Sequence, residues 1–496
     1  MNMRNMMYRI FFICIVLAMQ GCASTHSGNT SSSAATEPDD SDKFKVTIPE
    51  SYAGADGLGN SVAIQWSEFF DDPYLAMIID AALENNQELN ILMQEIEISR
   101  NEIGARQGEY LPFANLYAGA GIGKVGQYTT RGAVEENLPM KDGEPFPDPV
   151  PDFGLGMDFS WEIDIWNKLR SAKKAAVLRY LATEEGRNFM VTRLVAEISE
   201  AYYELLALDN SLTTLERMLD IQKRALTVVG LQKTAGRASS LAVRRFEAEV
   251  FKNQSELYEM QQLIIETENR INFLVGRFPQ HIERSAEDLE TRKLRSVSMG
   301  KPSDLLINRP DVRQAEFELE AAKLDINVAR ARFYPTLELS AAMGFSTSDG
   351  GTLLTTPESL LYNLAGELVM PLFNKKAIRA AYNNASAIQL QALFHYQKTV
   401  LNAYVEVLNQ YSMISNIGKS HESKAQQVEV LSQSISIANS LYRSARADYT
   451  EVLLTQRDAL ESNMELIELR LQQFTALVNM YQALGGGYDR ESDSES

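Results

Sequence analysis

The sequence predicts a mainly α-helical chain that also supplies four β-strands to a transmembrane β-barrel. Three features lead to this prediction: long stretches without proline, short segments of alternating apolar and polar residues, and a second half that repeats the first. None of the chain's fifteen prolines lies between Pro151 and Pro279 or after Pro371. Because proline breaks a helix interior, these gaps permit helices longer than an ordinary globular core would hold.

Apolar residues recur every seven positions in the first proline-free stretch, as a coiled coil requires. The first series is Ile198, Leu205, Leu212, Leu219 and Leu226, and the second is Val243, Val250, Leu257, Ile264 and Ile271. The break between them, GLQKTAGRASS, contains two glycines. The sequence therefore predicts long helices over 167–230 and 239–276, which form an antiparallel hairpin with its tip near 230–240.

The second half of the chain follows the same plan. A shift of 209 residues (485 − 276) places Gly485 on Gly276 and superimposes the heptad positions of the two halves. Such self-similarity indicates one structural unit used twice. The predicted divisions are repeat 1 (61–276), a linker (277–301) and repeat 2 (302–485), in which the long helices cover 375–442 and 448–484.

Four segments alternate apolar and polar residues with a period of two, which is typical of β-strands between two different environments. Over 153–165 every odd position is apolar, and every even position is glycine, serine or an acid. Each neighbouring segment is a long helix with its own seam, so lipid is the expected cover for the apolar side. The predicted strands are 113–128, 153–165, 336–348 and 360–372.

The polar side of these strands is acidic, and we expect it to face a water-filled lumen that favours cations. The residues predicted to line this barrel lumen are Asp158, Glu162, Asp164, Glu338 and Glu367. Four strands cannot close a barrel, because the smallest membrane barrels use about eight. The chain is therefore expected to oligomerise.

Gly121, Gly123 and Gly126 match the G-x-G-x-x-G spacing of dinucleotide-binding loops. That motif requires a helix directly after it, whereas the segment from Gln127 to Thr130 is predicted to continue as a strand. We therefore interpret the glycines of this segment as the inner face of the first strand, where missing side chains leave the lumen open.

The N-terminus carries a basic start and a ten-residue apolar core, IFFICIVLAM, which are typical of a secretory signal peptide. The segment ends in Gly21 and Cys22 and resembles a bacterial lipoprotein signal, which implies acyl chains on Cys22. The predicted segments are the signal peptide (1–21), a lipid-anchored linker (22–60) and an acidic disordered tail (486–496).

The composition argues against nucleic-acid binding and against catalysis. A formal net charge of −19 does not suit a phosphate backbone. No zinc-protease, nucleophile-elbow or Walker motif is present, and the four histidines are scattered along the chain. We expect no enzymatic activity, no metal and no cofactor apart from the acyl chains on Cys22.

Several segments resemble the TolC-type outer-membrane efflux channels, in particular the lipoprotein branch that serves RND pumps. The matching segments are KPSDLLINRPDVRQAE (301–316), VARARFYPTLELSA (328–341), SWEIDIWNKLR (160–170) and YRSARADYTEVLLTQR (442–457). The resemblance implies a homotrimer with a twelve-stranded barrel in the outer membrane and a periplasmic α-helical tunnel. It also implies a periplasmic adaptor and an inner-membrane RND pump as partners.

The resemblance further implies a closed periplasmic gate at the helical tips. The corresponding positions are Tyr442, Asp448, Glu451, Leu454 and Ala242. Glu451 falls where the family carries a ring acid, whereas Leu454 and Ala242 fall where other members carry aspartate. Asp448 is a candidate to compensate for them, with Arg237, Arg244 or Arg245 as partner. The alternative interpretation of these charges is a solvated helix tip.

The predicted function is a passive export duct for drugs, toxic compounds or metal ions across the periplasm and outer membrane. Two alternatives remain at this point. One is a channel for type I protein secretion. The other is a lipid-anchored coiled-coil scaffold, which would explain the heptads but not the four alternating strands.

Overall fold

A computed structural model describes residues 49, 52, 65–140, 143–285, 289–295, 297, 300–373, 375–444 and 446–486. The predicted signal peptide, Cys22, nearly all of the linker 22–60 and the tail beyond Gly486 lie outside the described residues. Within the described part the chain is mainly helical with few strands, which confirms the predicted fold class at that level.

The helices and strands occur in the order expected from the sequence. The helices are α1 (Trp66–Phe69), α2 (Pro73–Asn85), α3 (Gln87–Tyr110), α4 (Thr130–Asn137), α5 (Lys168–Thr234), α6 (Ser240–Val275), α7 (Asp304–Asn308), α8 (Pro310–Ala331), α9 (Lys376–Arg443) and α10 (Tyr449–Ala483). The strands are β1 (Phe113–Gly123), β2 (Val150–Ile163), β3 (Thr336–Thr347) and β4 (Leu360–Val369).

Helices α5 and α6 form the first hairpin. The turn between them lies within the predicted tip at 230–240, but the predicted helix end at 230 was four residues early, because α5 continues through Gly230 to Thr234. Glycine inside a helix costs only about 1 kcal/mol, and it is Gly236, with φ of 71°, that reverses the chain. The Ser239 side chain then accepts a hydrogen bond from the Ala242 amide (3.1 Å) and caps the start of α6.

Helices α9 and α10 form the second hairpin, and α10 packs against α5 of the first. The ends of the two hairpins are similar. Gly276 after α6 and Gly485 after α10 both have positive φ, 81° and 104°. A side chain at Gly276 would collide with the carbonyl of Asn85, and one at Gly485 would approach that of Asn308.

The main core lies where α2, α5, α6 and α10 meet. Its largest buried side chains include Ile79, Ile198, Leu205 and Ile271, each 0% exposed. These are heptad residues of α5 and α6 together with the apolar side of α2. The periodic seam predicted from the sequence is therefore the surface on which the helices pack.

A buried polar network anchors this core. Asp72 caps α2 and also accepts hydrogen bonds from the Tyr202 hydroxyl (2.8 Å) and from Arg292 Nη1 (2.6 Å). Since Arg292 belongs to the segment between the two halves, the network holds that segment against α2 and α5. Burial raises the pKa of Tyr202 above its ordinary value, so its hydroxyl stays a donor.

The four strands form one antiparallel sheet in the order β1-β2-β3-β4. Strand β1 ends five residues before its predicted end, and the segment at Thr130 is helical. The Thr129 hydroxyl accepts a hydrogen bond from the Gly132 amide (3.1 Å) and so starts α4. A side chain at Gly132 would collide with the Gly126 carbonyl, so this turn requires glycine.

Proline explains where β4 ends, and strand pairing explains where β2 begins. Strand β4 stops at Val369, three residues short of the prediction, opposite Thr336. Its partner begins directly after Pro335, and Pro371 has no amide to extend the ladder. Strand β2 instead begins at Val150, three residues early, because it pairs with the far end of β1.

Candidate functional site: a two-faced sheet and two helical tips

The register of the sheet aligns three carboxylates on one face. Glu162 in β2 is directly opposite Glu338 in β3, which is opposite Glu367 in β4. Like charges in neighbouring strands repel, and this repulsion is reduced by Lys168, whose Nζ lies 2.6 Å from Glu162. The three carboxylates thus form a row across the sheet, and its negative charge is strongest at Glu338 and Glu367.

Asp158 lies on the same face of β2, four residues before Glu162. Its carboxylate accepts a hydrogen bond from Asn115 Nδ2 (2.9 Å), and its cross-strand neighbour in β3 is Ala342. Ser160 and Ser340 also face each other on this side. Four of the five residues predicted to line a lumen thus share one polar face.

Asp164 does not belong to that face. It lies beyond the end of β2, is only 8% exposed, and accepts hydrogen bonds from the amides of Leu169 (3.2 Å) and Arg170 (2.9 Å). A carboxylate that receives the free amides of a helix start is a capping residue. The sequence prediction for Asp164 was wrong because alternation continues past the strand into the turn.

The glycines of the polar face have two separate roles. At Gly119 and Gly123 a side chain would meet nothing within 4 Å, so these positions leave this face of the sheet open. At Gly156 a side chain would lie 2.6 Å from the hydroxyl of Tyr117, and Gly344 is packed against the backbone of β2. These two glycines are required by close packing within the sheet.

The opposite face of the sheet is apolar and exposed. Leu116, Ile122, Leu364 and Leu368 have 73%, 71%, 81% and 67% of their surface accessible. Exposed apolar patches of this extent mark interaction or membrane surfaces. One face of the sheet therefore suits water, and the other suits an apolar environment.

Aromatic residues gather where the sheet meets the helices. Trp161 Nε1 donates to the Tyr110 carbonyl (3.1 Å), and Trp166 Nε1 donates to the Pro335 carbonyl (2.7 Å). The Trp166 ring also stacks on Tyr334 at 4.7 Å. Tryptophan and tyrosine with satisfied polar atoms at the edge of an apolar band are typical of membrane interfaces.

At the far end of the hairpins the structure separates the residues predicted to form a gate. Ala242 is 0% exposed and packs with Val229 and Phe246 between α5 and α6. It lies on the seam side of α6, one turn before Phe246, so it lines no surface. The prediction for Ala242 was wrong because correspondence with a family position does not fix which way a helix residue points.

Tyr442 links the two hairpins. Its hydroxyl lies 2.5 Å from Gln232 Oε1 on α5, and its ring packs against the cluster around Phe246. Burial, followed by the nearby charge of Asp448, raises the pKa of Tyr442 above 10, so the hydroxyl remains a donor. Gln232 was missed by sequence analysis, since nothing in its pattern marks a contact with α9.

Asp448 and Glu451 stand at the start of α10. The Asp448 carboxylate accepts a hydrogen bond from the Tyr449 amide (2.7 Å) and caps the helix, while Glu451 is exposed in the first turn. Among the described ion pairs none joins Asp448 to an arginine, and Arg244 pairs with Glu247 at 2.7 Å. Leu454 is 44% exposed, one turn beyond Glu451.

Two further observations concern the described residues as a whole. No group of three or more histidine, cysteine or acidic side chains among them is placed to hold a metal ion. None of the described helices has a sufficiently long and apolar stretch to cross a bilayer.

Comparison with known proteins assigns the family. A sequence profile described as "Outer membrane efflux protein" matches residues 78–277 and 302–486. The chain is 30% identical over 425 residues to the solvent efflux pump outer membrane protein SrpC of Pseudomonas putida, covering 85% of this chain and 87% of that protein. It is 24% identical over 491 residues to the cation efflux system protein CusC of Escherichia coli, covering 96% and 98%.

Solved structures share the fold. A membrane protein from Pseudomonas aeruginosa superimposes with a TM-score of 0.80 at 24% identity, over 89% of this chain and 95% of that one. The open state of the Neisseria gonorrhoeae MtrE outer membrane channel superimposes with a TM-score of 0.79 at 22% identity, over 90% and 97%. The resemblance inferred from the sequence motifs is confirmed: the chain belongs to the outer membrane efflux protein family.

Proposed function

We propose that this protein is the outer-membrane channel of a tripartite RND-type efflux system and acts as a passive export duct across the periplasm and outer membrane. The observation that carries the proposal is the cross-strand register, which places Glu162, Glu338 and Glu367 on one face of the sheet. The other face exposes Leu116 and Leu364. A sheet divided in this way suits a wall between lipid and water.

Closure of that wall requires further strands. The sheet leaves β1 and β4 as unpaired edges within the described chain, and an open edge is not viable in a bilayer. Three copies would supply twelve strands, above the minimum of about eight. We therefore propose a homotrimer with a twelve-stranded barrel, whose lumen carries Asp158, Glu162, Glu338 and Glu367 and favours cations.

An internal repeat is supported by matched contacts at the ends of the hairpins. The Asn86 side chain donates to the carbonyl of Leu274 (2.7 Å), and the Arg309 side chain donates to the carbonyl of Ala483 (2.9 Å). Leu274 and Ala483 are 209 positions apart (483 − 274), the shift found in the sequence. Each half of the chain would thus contribute two of the four strands and one of the two helical hairpins of the subunit.

We propose that the long helices continue the lumen through the periplasm and that their tips form its closed end. Tyr442, Asp448, Glu451 and Leu454 are the candidate gate residues, since all four lie at the tip of the second hairpin. The periplasmic adaptor and the inner-membrane RND pump would meet the channel at this end. Relatives bear names that specify solvents, toluene, pyoverdine or cations, and the pump would select the cargo.

We also propose that acyl chains on Cys22 anchor the N-terminus to the outer membrane. A relative named as a probable outer membrane lipoprotein, from Salmonella typhimurium, supports this. Cys22→Ser should abolish incorporation of radiolabelled palmitate while leaving the helical content unchanged in circular dichroism. Labelling that persists in this variant would refute the anchor.

The proposed channel is tested by purification in detergent, chemical cross-linking and planar-bilayer recording. We expect a cross-linked species of three chains and discrete current steps with a preference for cations. Protein that stays monomeric and gives no steps would instead favour a scaffold. A deletion strain profiled against drugs, bile salts, copper and silver would then identify the cargo class.

A further inference from the structure

Three amide side chains are buried at one level of the helical bundle. Gln222 on α5, Asn253 on α6 and Gln456 on α10 are 1%, 0% and 1% exposed. Asn253 Nδ2 donates to Gln222 Oε1 at 2.7 Å. Gln222 Nε2, Asn253 Oδ1 and both polar atoms of Gln456 have no hydrogen-bond partner. We call these three residues the amide layer.

The amide layer separates two apolar clusters. The mid cluster consists of Leu215, Met218, Leu219, Leu257 and Leu460. The tip cluster consists of Val229, Ala242 and Phe246, with Tyr442, Tyr449 and Leu453 packed against it. On α10, for example, Gln456 lies one turn from Leu453 on one side and one turn from Leu460 on the other. The apolar seam is thus interrupted in all three helices at the same level.

Such an interruption weakens the packing of the helices at this level. A buried donor or acceptor without a partner loses the hydrogen bonds that water would give it. Polar residues at core positions of coiled coils lower stability and fix register for the same reason. Water that entered the amide layer would form hydrogen bonds with the unpartnered atoms. Water that entered an apolar layer would only hydrate leucine side chains, which is unfavourable. The layer therefore favours separation of the helices at this level.

Contacts between the two hairpins occur on both sides of the amide layer. Tyr442, Tyr449 and Leu453 pack on the tip cluster, and Tyr442 is bonded to Gln232. On the other side Leu460 belongs to the mid cluster, which continues toward the main core along α5 and α10. Beyond the mid cluster the hairpins meet again in the main core, where the Tyr203 ring stacks on Phe474, whereas beyond the tip cluster both hairpins end.

We infer that the amide layer is the boundary at which the tips of the two hairpins separate when the proposed channel opens, while the mid cluster stays packed. This inference rests on the proposed channel function. The segments that move are those on the tip side of the layer: the end of α5 beyond Gln222, the start of α6 before Asn253, the end of α9 that carries Tyr442, and the start of α10 before Gln456. Hydration of the three amides stabilises the separated state relative to the packed one.

Hydrogen–deuterium exchange of the purified full chain tests the boundary without depending on ion conduction. We expect fast exchange in peptides covering 223–234 and 449–455 and slow exchange in 204–219 and 460–470. The exchange rate should therefore change abruptly at the amide layer. Exchange that varies smoothly along α5 and α10, or that steps at another level, would overturn the inference.

A substitution sharpens the test. Gln456→Leu would make the seam of α10 continuous from Leu453 to Leu460. It should slow exchange of the tip peptides by about tenfold, because it removes a buried polar group that has no hydrogen-bond partner. Gln261→Leu, at an exposed position of α6, is the matched control and should leave tip exchange unchanged. Unchanged tip exchange in Gln456→Leu would contradict the inference.

Cross-linking provides a second, independent arm. Disulfide formation in Gln232→Cys/Tyr442→Cys should abolish current steps until a reductant is added, whereas Leu215→Cys/Leu460→Cys should leave them intact. Loss of steps in both pairs would overturn the inference, because the mid cluster would then also have to open. If the unmodified protein gave no current steps, the channel proposal would fail. The position at which the hydrogen–deuterium exchange rate changes would still show whether the helices separate at the amide layer.

Discussion

The sheet and the helical hairpins place their apolar residues in opposite environments. In the hairpins Ile198 and Leu205 are 0% exposed, whereas in the sheet Leu116 and Leu364 are 73% and 81% exposed. A heptad seam is covered by the next helix of the same chain. The apolar side of the sheet has no such cover among the described elements, so its stability depends on surroundings that the single chain does not supply.

The two hairpins also differ in how far their long helices are buried, although less strongly than the sheet differs from the helices. Helices α5 and α9 have nearly equal lengths, 67 and 68 residues, yet the last buried residue of α9 is Val407, while α5 is buried as far as Val229. Val430 and Ile437, one heptad apart on α9, are 62% and 57% exposed. The first hairpin is therefore buried along most of its length by the described chain, whereas α9 has no buried residue beyond Val407.

The largest effect is expected from a charge on the apolar face of the sheet. Leu364→Arg would place a cation near the middle of the proposed lipid-facing band, at a cost of about 2–4 kcal/mol in each subunit of the proposed trimer. We expect loss of the assembled trimer from the outer-membrane fraction, measured by native electrophoresis. Ala365→Arg, one residue along and on the polar face, is the control and should assemble. Equal assembly of both variants would disprove the assignment of faces.

The next largest effect concerns the buried network of the helical core. Asp72→Ala removes the partner of Arg292 and of the Tyr202 hydroxyl, and it leaves a charge that is almost fully buried. Breaking one side of a buried ion pair costs about 3–5 kcal/mol. Thermal or urea unfolding should show this loss. Asp220→Ala, which breaks the exposed pair with Arg224, should change stability by less than about 1 kcal/mol.

The contact between hairpins at Tyr442 gives a smaller effect with a definite pH dependence. Tyr442→Phe removes one hydrogen bond to Gln232, worth about 1 kcal/mol, and should increase exchange of the tip peptides. Because burial raises the folded-state pKa of Tyr442, its stabilising contribution is complete below the unfolded pKa of about 10 and falls as the pH rises further.

The pH dependence is measured as the difference between the unmodified protein and Tyr442→Phe. The other buried tyrosines, among them Tyr202 and Tyr481, titrate in both proteins and cancel in that difference. We expect the difference in tip protection to be constant from pH 7 to 9 and to shrink above about pH 10. A difference that grew with pH would contradict the assigned contact.

The sequence predicts features that depend on spacing within one helix or strand, but not those that depend on how separate elements end and meet. Periodicity revealed the heptad seams and the polar face that holds Glu162 and Glu338, because spacing along one element determines which residues share a side. It did not reveal that Asp164 caps a helix or that Ala242 is buried, since those outcomes depend on where an element ends and how it is rotated. The Tyr442 contact joins residues 210 apart and leaves no local pattern.

The smallest effect on stability, but a direct one on the proposed duct, is expected from Glu451. Its side chain is exposed in the first turn of α10, so Glu451→Ala should alter unfolding by less than about 0.5 kcal/mol. If three copies of Glu451 surround the closed end, removal of their charges should raise the conductance of the closed channel and lower its cation preference, seen as a shift in reversal potential. Glu422→Ala, an exposed carboxylate on α9, should change neither quantity. Unchanged current in Glu451→Ala would remove this residue from the constriction and leave it a solvated charge at a helix tip.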